Sequence, residues 1–149
     1  MKSLYEKSVL QEVMSRIEKL SADQKPVWGK MSAAQMMEHC SLILDFATGR
    51  NKPKRMFLGY ILGPIFKKQY YNDEPLRKNS PTAPDFIVAN QQDFEKAKSR
   101  LLNLVKEFSE GGEAQCTTHP SAFFGKLTPA QHGMGVYKHM DHHLQQFGV

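Results

Sequence analysis

No stretch of this chain alternates apolar and polar residues long enough to build a sheet, while four segments repeat their apolar residues every three and four positions. That period belongs to helices with one buried stripe. The first segment runs from about Leu4 to Leu20, with Leu10, Val13, Met14, Ile17 and Leu20 in the stripe. The second runs from Ser32 to about Thr48. Ser32 and Gln35 form a capping box, and Gly49 marks the stop. Its inward residues are Met36, Cys40, Ile43 and Phe46, with His39 beside them. The third covers roughly Asn90 to Ser109 and ends before Gly111 and Gly112. The fourth opens on Thr128, Pro129 and Gln131, an N-cap, a proline at the first helical position and a Gln at the third, and runs to Phe147. Four amphipathic helices predict an all-α fold, a four-helix bundle. At 149 residues the chain suits a single domain, 1–149.

The connection from Gly49 to Pro84 is 36 residues long and holds five prolines. So long a crossover between the second and third helices predicts a short helix or two between Met56 and Tyr70. Its apolar face (Phe57, Tyr60, Ile61, Phe66, Tyr70) either covers the bundle or makes a dimer interface. This connection also carries the chain's basicity. Of the net charge of +5, the segment Gly49–Asn79 contributes +6 and the rest −1. That pattern reads as a solvated loop or as a lip over an anionic ligand. No nucleic-acid module accompanies it, so no nucleic-acid partner is expected. The longest uncharged apolar run, Met56–Phe66, has 11 residues, too short to span a bilayer. The opening MKSLYEKSVLQEV has no apolar core of a signal peptide, and Cys40 and Cys116 are too few for a disulfide framework. A cytoplasmic place is expected.

Three of the six histidines fall in one string of the fourth segment, Tyr137–Phe147. His139 and His143 are four apart, so they stand one turn above each other on one helix face. Both can reach one metal ion, but a site needs a third ligand. His39, mid-helix in the second segment, is the candidate. The stripe Val136, His139, Met140, His143 and Phe147 should be apolar, yet it carries two imidazoles. The same spacing also suits hydrogen-bonded core histidines. His142 groups with Lys138 and Gln145 on the outer face. Gln35, one turn before His39, and Gln146, three after His143, are candidates to orient an imidazole or a bound water. No HExxH, CxxC, GxSxG, phosphate-binding loop or GxGxxG occurs. Cys40 reads as a small buried hydrophobe, Cys116 as an exposed loop thiol, and the methionines as core filler.

The string HxxHHxxQ from His139 to Gln146 resembles the signature of the DinB-like (YfiT-like) superfamily. WGKMSAAQMMEHC (Trp28–Cys40) and HPSAFFGKLTPAQHG…YKHMDHHLQQFGV (His119–Val149) narrow the likeness to a branch of uncharacterised bacterial proteins. The resemblance implies a four-helix bundle, typically a homodimer. It implies a divalent metal, nickel or zinc, bound by one histidine of the second helix and two of the fourth: His39, His139 and His143. Characterised relatives include transferases and an isomerase that use a low-molecular-weight thiol, so the resemblance implies a metal-dependent transferase or hydrolase acting on a small molecule. The alternative is a non-catalytic binding or structural homodimer with a vestigial site. His132 stands where the resemblance leads one to expect Trp. It lies two turns before His139 on the same side, where it either lines the pocket or has no role. The basic connection would suit an anionic substrate, such as a carboxylate-bearing thiol.

Overall fold

The computed structural model describes residues 1–149 and is all-helical. Its five α-helices are α1 (Lys7–Glu18), α2 (Ala33–Ala47), α3 (Phe57–Tyr70), α4 (Phe94–Gly111) and α5 (Pro129–Gln146). Single 3₁₀ turns at Pro84–Phe86 and Glu113–Gln115 punctuate the connections, and one isolated bridge, Ser121 to Gly125, is the nearest approach to a strand.

The helix ends follow local chemistry. Ser32 accepts from the Gln35 amide while Gln35 reaches back, and Thr128 and Gln131 do the same for α5. Asp93 caps α4 by accepting from Lys96 N. Gly49 and Gly148 follow α2 and α5 with positive φ.

Helices α1, α2, α4 and α5 share one core of 21 buried residues, to which α3 contributes none. Helix α2 is its centre and packs chiefly against α4 and α5. It is buried well beyond one stripe: Met37 and Leu44 are fully enclosed, whereas Ile43, expected inside, is only half-buried. Two arginines pin the outer seams. Arg100 of α4 bonds Glu38 at 3.0 Å and Asp45 at 2.5 Å on α2, and Arg16 of α1 bonds Asp141 of α5 at 2.7 Å. Met36, Met37 and Met140 fill the core as expected. Cys40 is fully buried, and burial raises its thiol pKa. Cys116 is half-buried rather than exposed and pairs with the Tyr5 hydroxyl.

The expected helix between Met56 and Tyr70 is α3, but its apolar face does not cover the core. Phe57 is 80% exposed and Ile61 59%, and Leu58, Tyr60, Ile65 and Phe66 are exposed with them. The buried positions are instead Gly59 and Gly63. A Cβ at Gly59 would lie 2.6 Å from the Phe123 carbonyl oxygen, and one at Gly63 closer still. Helix α3 therefore docks backbone-first on the 121–125 loop, through its side-chain-free face. Arg55 seals the joint by donating to the carbonyls of Ser121, Ala122 and Gly59. A stripe reading counts side chains, so it could not see that the contact needed none.

Candidate metal centre

The site is built from two helices and two loops. Helix α2 carries His39 and α5 carries His139 and His143, one turn apart. His39 and His143 are buried and His139 is half-buried. The three offer ring nitrogens that all lie within 4.8 Å of one another. His39 Nε2 and His139 Nε2 are 3.0 Å apart. Two nitrogens bound to one zinc at about 2.0–2.1 Å would stand roughly 2.9–3.4 Å apart for angles between square and tetrahedral. The spacing fits.

Hydrogen bonds from behind orient two of the rings. His39 Nδ1 lies 2.7 Å from the Phe86 carbonyl oxygen. A carbonyl only accepts, so Nδ1 carries the hydrogen and Nε2 keeps a lone pair toward the cluster. His143 Nδ1 lies 2.8 Å from Gln146 Oε1. The orientation of that amide is fixed in turn, because its Nε2 donates to the Trp28 carbonyl at 2.8 Å. His143 therefore also keeps its lone pair on Nε2. These are the tautomers and backing contacts that metal-binding imidazoles use. His139 has no such partner.

Burial lowers the pKa of all three imidazoles. For His39 desolvation dominates, against the bond to Phe86. His139 is held well below the usual histidine range by desolvation, and then by the charges its neighbours His143, His39 and His142 would carry. His143 is brought down to about 4 by desolvation, partly offset by its bond to Gln146. Near neutral pH the cluster is uncharged and presents lone pairs, the state a divalent cation requires.

Gln146 meets the cluster, whereas Gln35 does not. The Gln35 amide completes the α2 capping box and donates to the backbone carbonyls of Val88, Ala89 and Asn90. The N3 position of a capping box turns that side chain back over the helix start, away from His39. His132 is buried and lines a cavity that also reaches His139. The outer-face grouping needs correction too. Gln145 is exposed, but His142 is half-buried beside Trp28, with ring centroids 5.5 Å apart. Lys138 is buried and donates to the carbonyls of Tyr70 and Asn72 at 2.7 and 2.8 Å. The ammonium is tied to the chain that leaves α3, which the helix pattern of α5 alone does not show.

The basic connection forms no lip over the cluster. The cavity that meets His139 has no Lys, Arg, Asp or Glu in its wall. Arg50 pairs with Glu107, Arg55 clamps α3, Lys67 bonds the Lys126 carbonyl, and Lys78 lies over the Trp28 ring at 4.2 Å. A carboxylate-bearing thiol finds no basic partner in that cavity.

Sequence reasoning missed Phe86 and Trp28, because both act through backbone carbonyls, which have no residue signature. It also missed Gly29, whose φ is +83°. A Cβ there would lie 2.5 Å from Gln146 Nε2. The glycine in WGKMS thus supplies both the turn and the close approach that let Trp28 hold Gln146.

No helix is long and apolar enough to cross a membrane. The profile of the family described as "Protein of unknown function (DUF1569)" matches residues 2–148, so the chain belongs to that family. No curated protein and no solved structure matches it.

Proposed function

We propose that this chain is a divalent-metal-binding protein of DinB-like type, in which His39, His139 and His143 hold one nickel or zinc ion between α2 and α5. The observation that supports this most is the double tautomer lock: Phe86 and Gln146 each leave an Nε2 lone pair free in a cluster whose ring nitrogens lie within 4.8 Å of one another. Core histidines that served packing alone would need no such convergence. In this reading α1, α2, α4 and α5 form a four-helix bundle, and residues 48–93 are its crossover.

The reaction class is a metal-dependent transferase, thiol-dependent in type, or a hydrolase. A bound divalent ion with three neutral ligands supplies Lewis acidity that lowers the pKa of a water or thiol. The chain's own residues do the rest. Phe86 and Gln146 keep His39 and His143 in the ligating tautomer. Aromatic side chains wall the cavity that His139 borders, and His132 offers a neutral hydrogen-bonding nitrogen two turns away.

A second reading is a non-catalytic small-molecule-binding homodimer with a vestigial site. It draws support from the unpartnered apolar face of α3, which suits a second copy of the chain, and from the absence of a carboxylate in the cavity wall. Light scattering at micromolar concentration should give about twice the 17.0 kDa chain mass. Ile61→Glu should bring that value down to one chain.

The test of the metal reading is a titration of nickel or zinc into chelator-stripped protein at pH 7.5, followed by imidazole NMR. The resonances of His39, His139 and His143 should move together and saturate at one equivalent, with His119 unmoved. Shifts confined to other histidines would favour the second reading.

A further inference from the structure

The cavity beside His139 has a composition that selects its occupant. It holds about 190 Å³, somewhat more than the ~150 Å³ of a dry apolar cavity that takes up benzene. Phe46, Tyr70, Tyr71, Phe86, Phe123 and Phe124 line it. Such a wall favours a flat ring through edge and face contacts. It disfavours a full charge, which would lose its hydration with no countercharge in reach.

One polar group in that wall lacks a partner. His132 is 3% exposed. Its Nε2 makes no hydrogen bond and is closed off even from the cavity, so a ligand meets it only once the ring turns. Phe46 packs against the ring, with centroids 5.7 Å apart. A buried polar atom left unpaired costs about 1–3 kcal/mol, so a native structure keeps one for a reason. Burial also lowers the pKa of His132, so the imidazole is neutral and has an accepting nitrogen. His132 and His139 both line the cavity and lie two turns apart on α5. That separation is about 10 Å of helix rise, room for one ring between the imidazoles.

Building on the metal-site reading, we propose that the substrate class is a small neutral aromatic alcohol or phenol. Its ring sits among the aromatic side chains, its hydroxyl bonds His132, and its far end points toward His139. His132 is then the specificity-determining residue.

The experiment titrates phenol, toluene and benzoate into wild-type protein, metal-stripped and metal-loaded, by calorimetry or NMR. Phenol should saturate one site in both forms and bind at least ~10-fold more tightly than benzoate. His132→Phe should weaken phenol by about 10-fold and leave toluene unchanged, and His132→Gln, which keeps a hydrogen-bonding end, should restore much of the difference. Ala83→Leu, at the half-buried cavity wall, should abolish binding of both neutral ligands. Benzoate binding as tightly as phenol, no saturable phenol binding, or a His132→Phe variant that keeps wild-type phenol affinity would each overturn the assignment. If neither His132 variant folds, the ranking of the three probes on wild type still decides. Phenol binding without metal uptake would sink the metal reading and leave the cavity assignment standing; metal uptake without phenol binding would do the reverse.

Discussion

Helix α5 borders two hollows that differ in almost everything except the helix between them. On one side His132 and His139 face a cavity with an aromatic wall and no charged residue. On the other, Lys138, Asp141 and His142 face a hollow of about 280 Å³ that also holds Lys2, Lys78, Asp73 and Glu74. The second is larger and richer in titratable groups, so charge alone would single it out. Its cations are largely committed: the Met1 ammonium pairs with Asp73, Lys2 with Glu12, and Lys138 is spent on backbone carbonyls. The first has fewer polar groups, but through His139 it borders a cluster that converges: His39, His139 and His143, the first and last with a fixed tautomer. Convergence of lone pairs, rather than density of charge, marks the site that can hold a cation.

The sharpest way to break that contrast is to remove one histidine from each side. His139→Ala should lower nickel or zinc affinity by more than about 100-fold, since losing a ligand should cost more than the 10–100-fold typical of its backing contacts. His142→Ala should leave it within about twofold, by the same reasoning. Competition against a chromophoric chelator measures both, and equal losses would show that the two faces are not distinct.

Next in size are the backing contacts. Gln146→Ala frees the His143 tautomer and should cost about 10–100-fold in metal affinity. Gly29→Ala forces a side chain onto Gln146 at an unfavourable φ; it should weaken metal binding in the same direction and cost about 1–3 kcal/mol of stability. A Gln146→Ala variant with unchanged affinity would remove the tautomer argument.

Acidity tests the neutral histidine cluster in the metal-free protein. Unfolded histidines titrate near 6.5, whereas folding lowers His39 and His139 and brings His143 down to about 4. Below 6.5 the unfolded chain therefore binds more protons than the folded one. The stability contributed by the neutral cluster is complete above about pH 6.5 and is lost as pH falls toward 4. Urea midpoints across that range should fall, and His139→Phe should flatten the slope. Bound metal should leave in the same direction, since protons compete for all three ligands. Metal retained undiminished at pH 4 would point to carboxylate ligands, which titrate near 4 when free.

The smallest effect is on the cap. Gln35→Ala should leave metal affinity unchanged and cost about 0.5–1 kcal/mol of stability, because its amide serves the start of α2 and the 88–90 backbone. A drop in metal affinity would restore Gln35 to the site.

Much of this was legible in the chain itself. Capping boxes at Ser32 and Thr128 set two helix starts, and the interrupted apolar stripe of α5 singled out His139 and His143. The three imidazoles meet because α2 and α5 each place their polar intruders at one level of a shared core. What the sequence could not show runs through the backbone or through missing side chains. The Phe86 carbonyl that orients His39 has no residue signature. The glycine face of α3 inverted the expected packing. Gln35 and Gln146 both lie within a turn of a candidate ligand, and only the turn of chain that each one meets separates their roles.

Two buried imidazoles, His39 and His143, and the half-buried His139 form a cluster that could hold one divalent ion. The most direct measurement is elemental analysis of folded protein, prepared without a metal-affinity column and dialysed against nickel and zinc at pH 7.5. One ion per chain is expected, lost in His39→Ala and in His139→Ala and kept in His142→Ala. A folded wild-type protein that takes up no metal, or a His39→Ala/His139→Ala double variant that still takes up one equivalent, would contradict it.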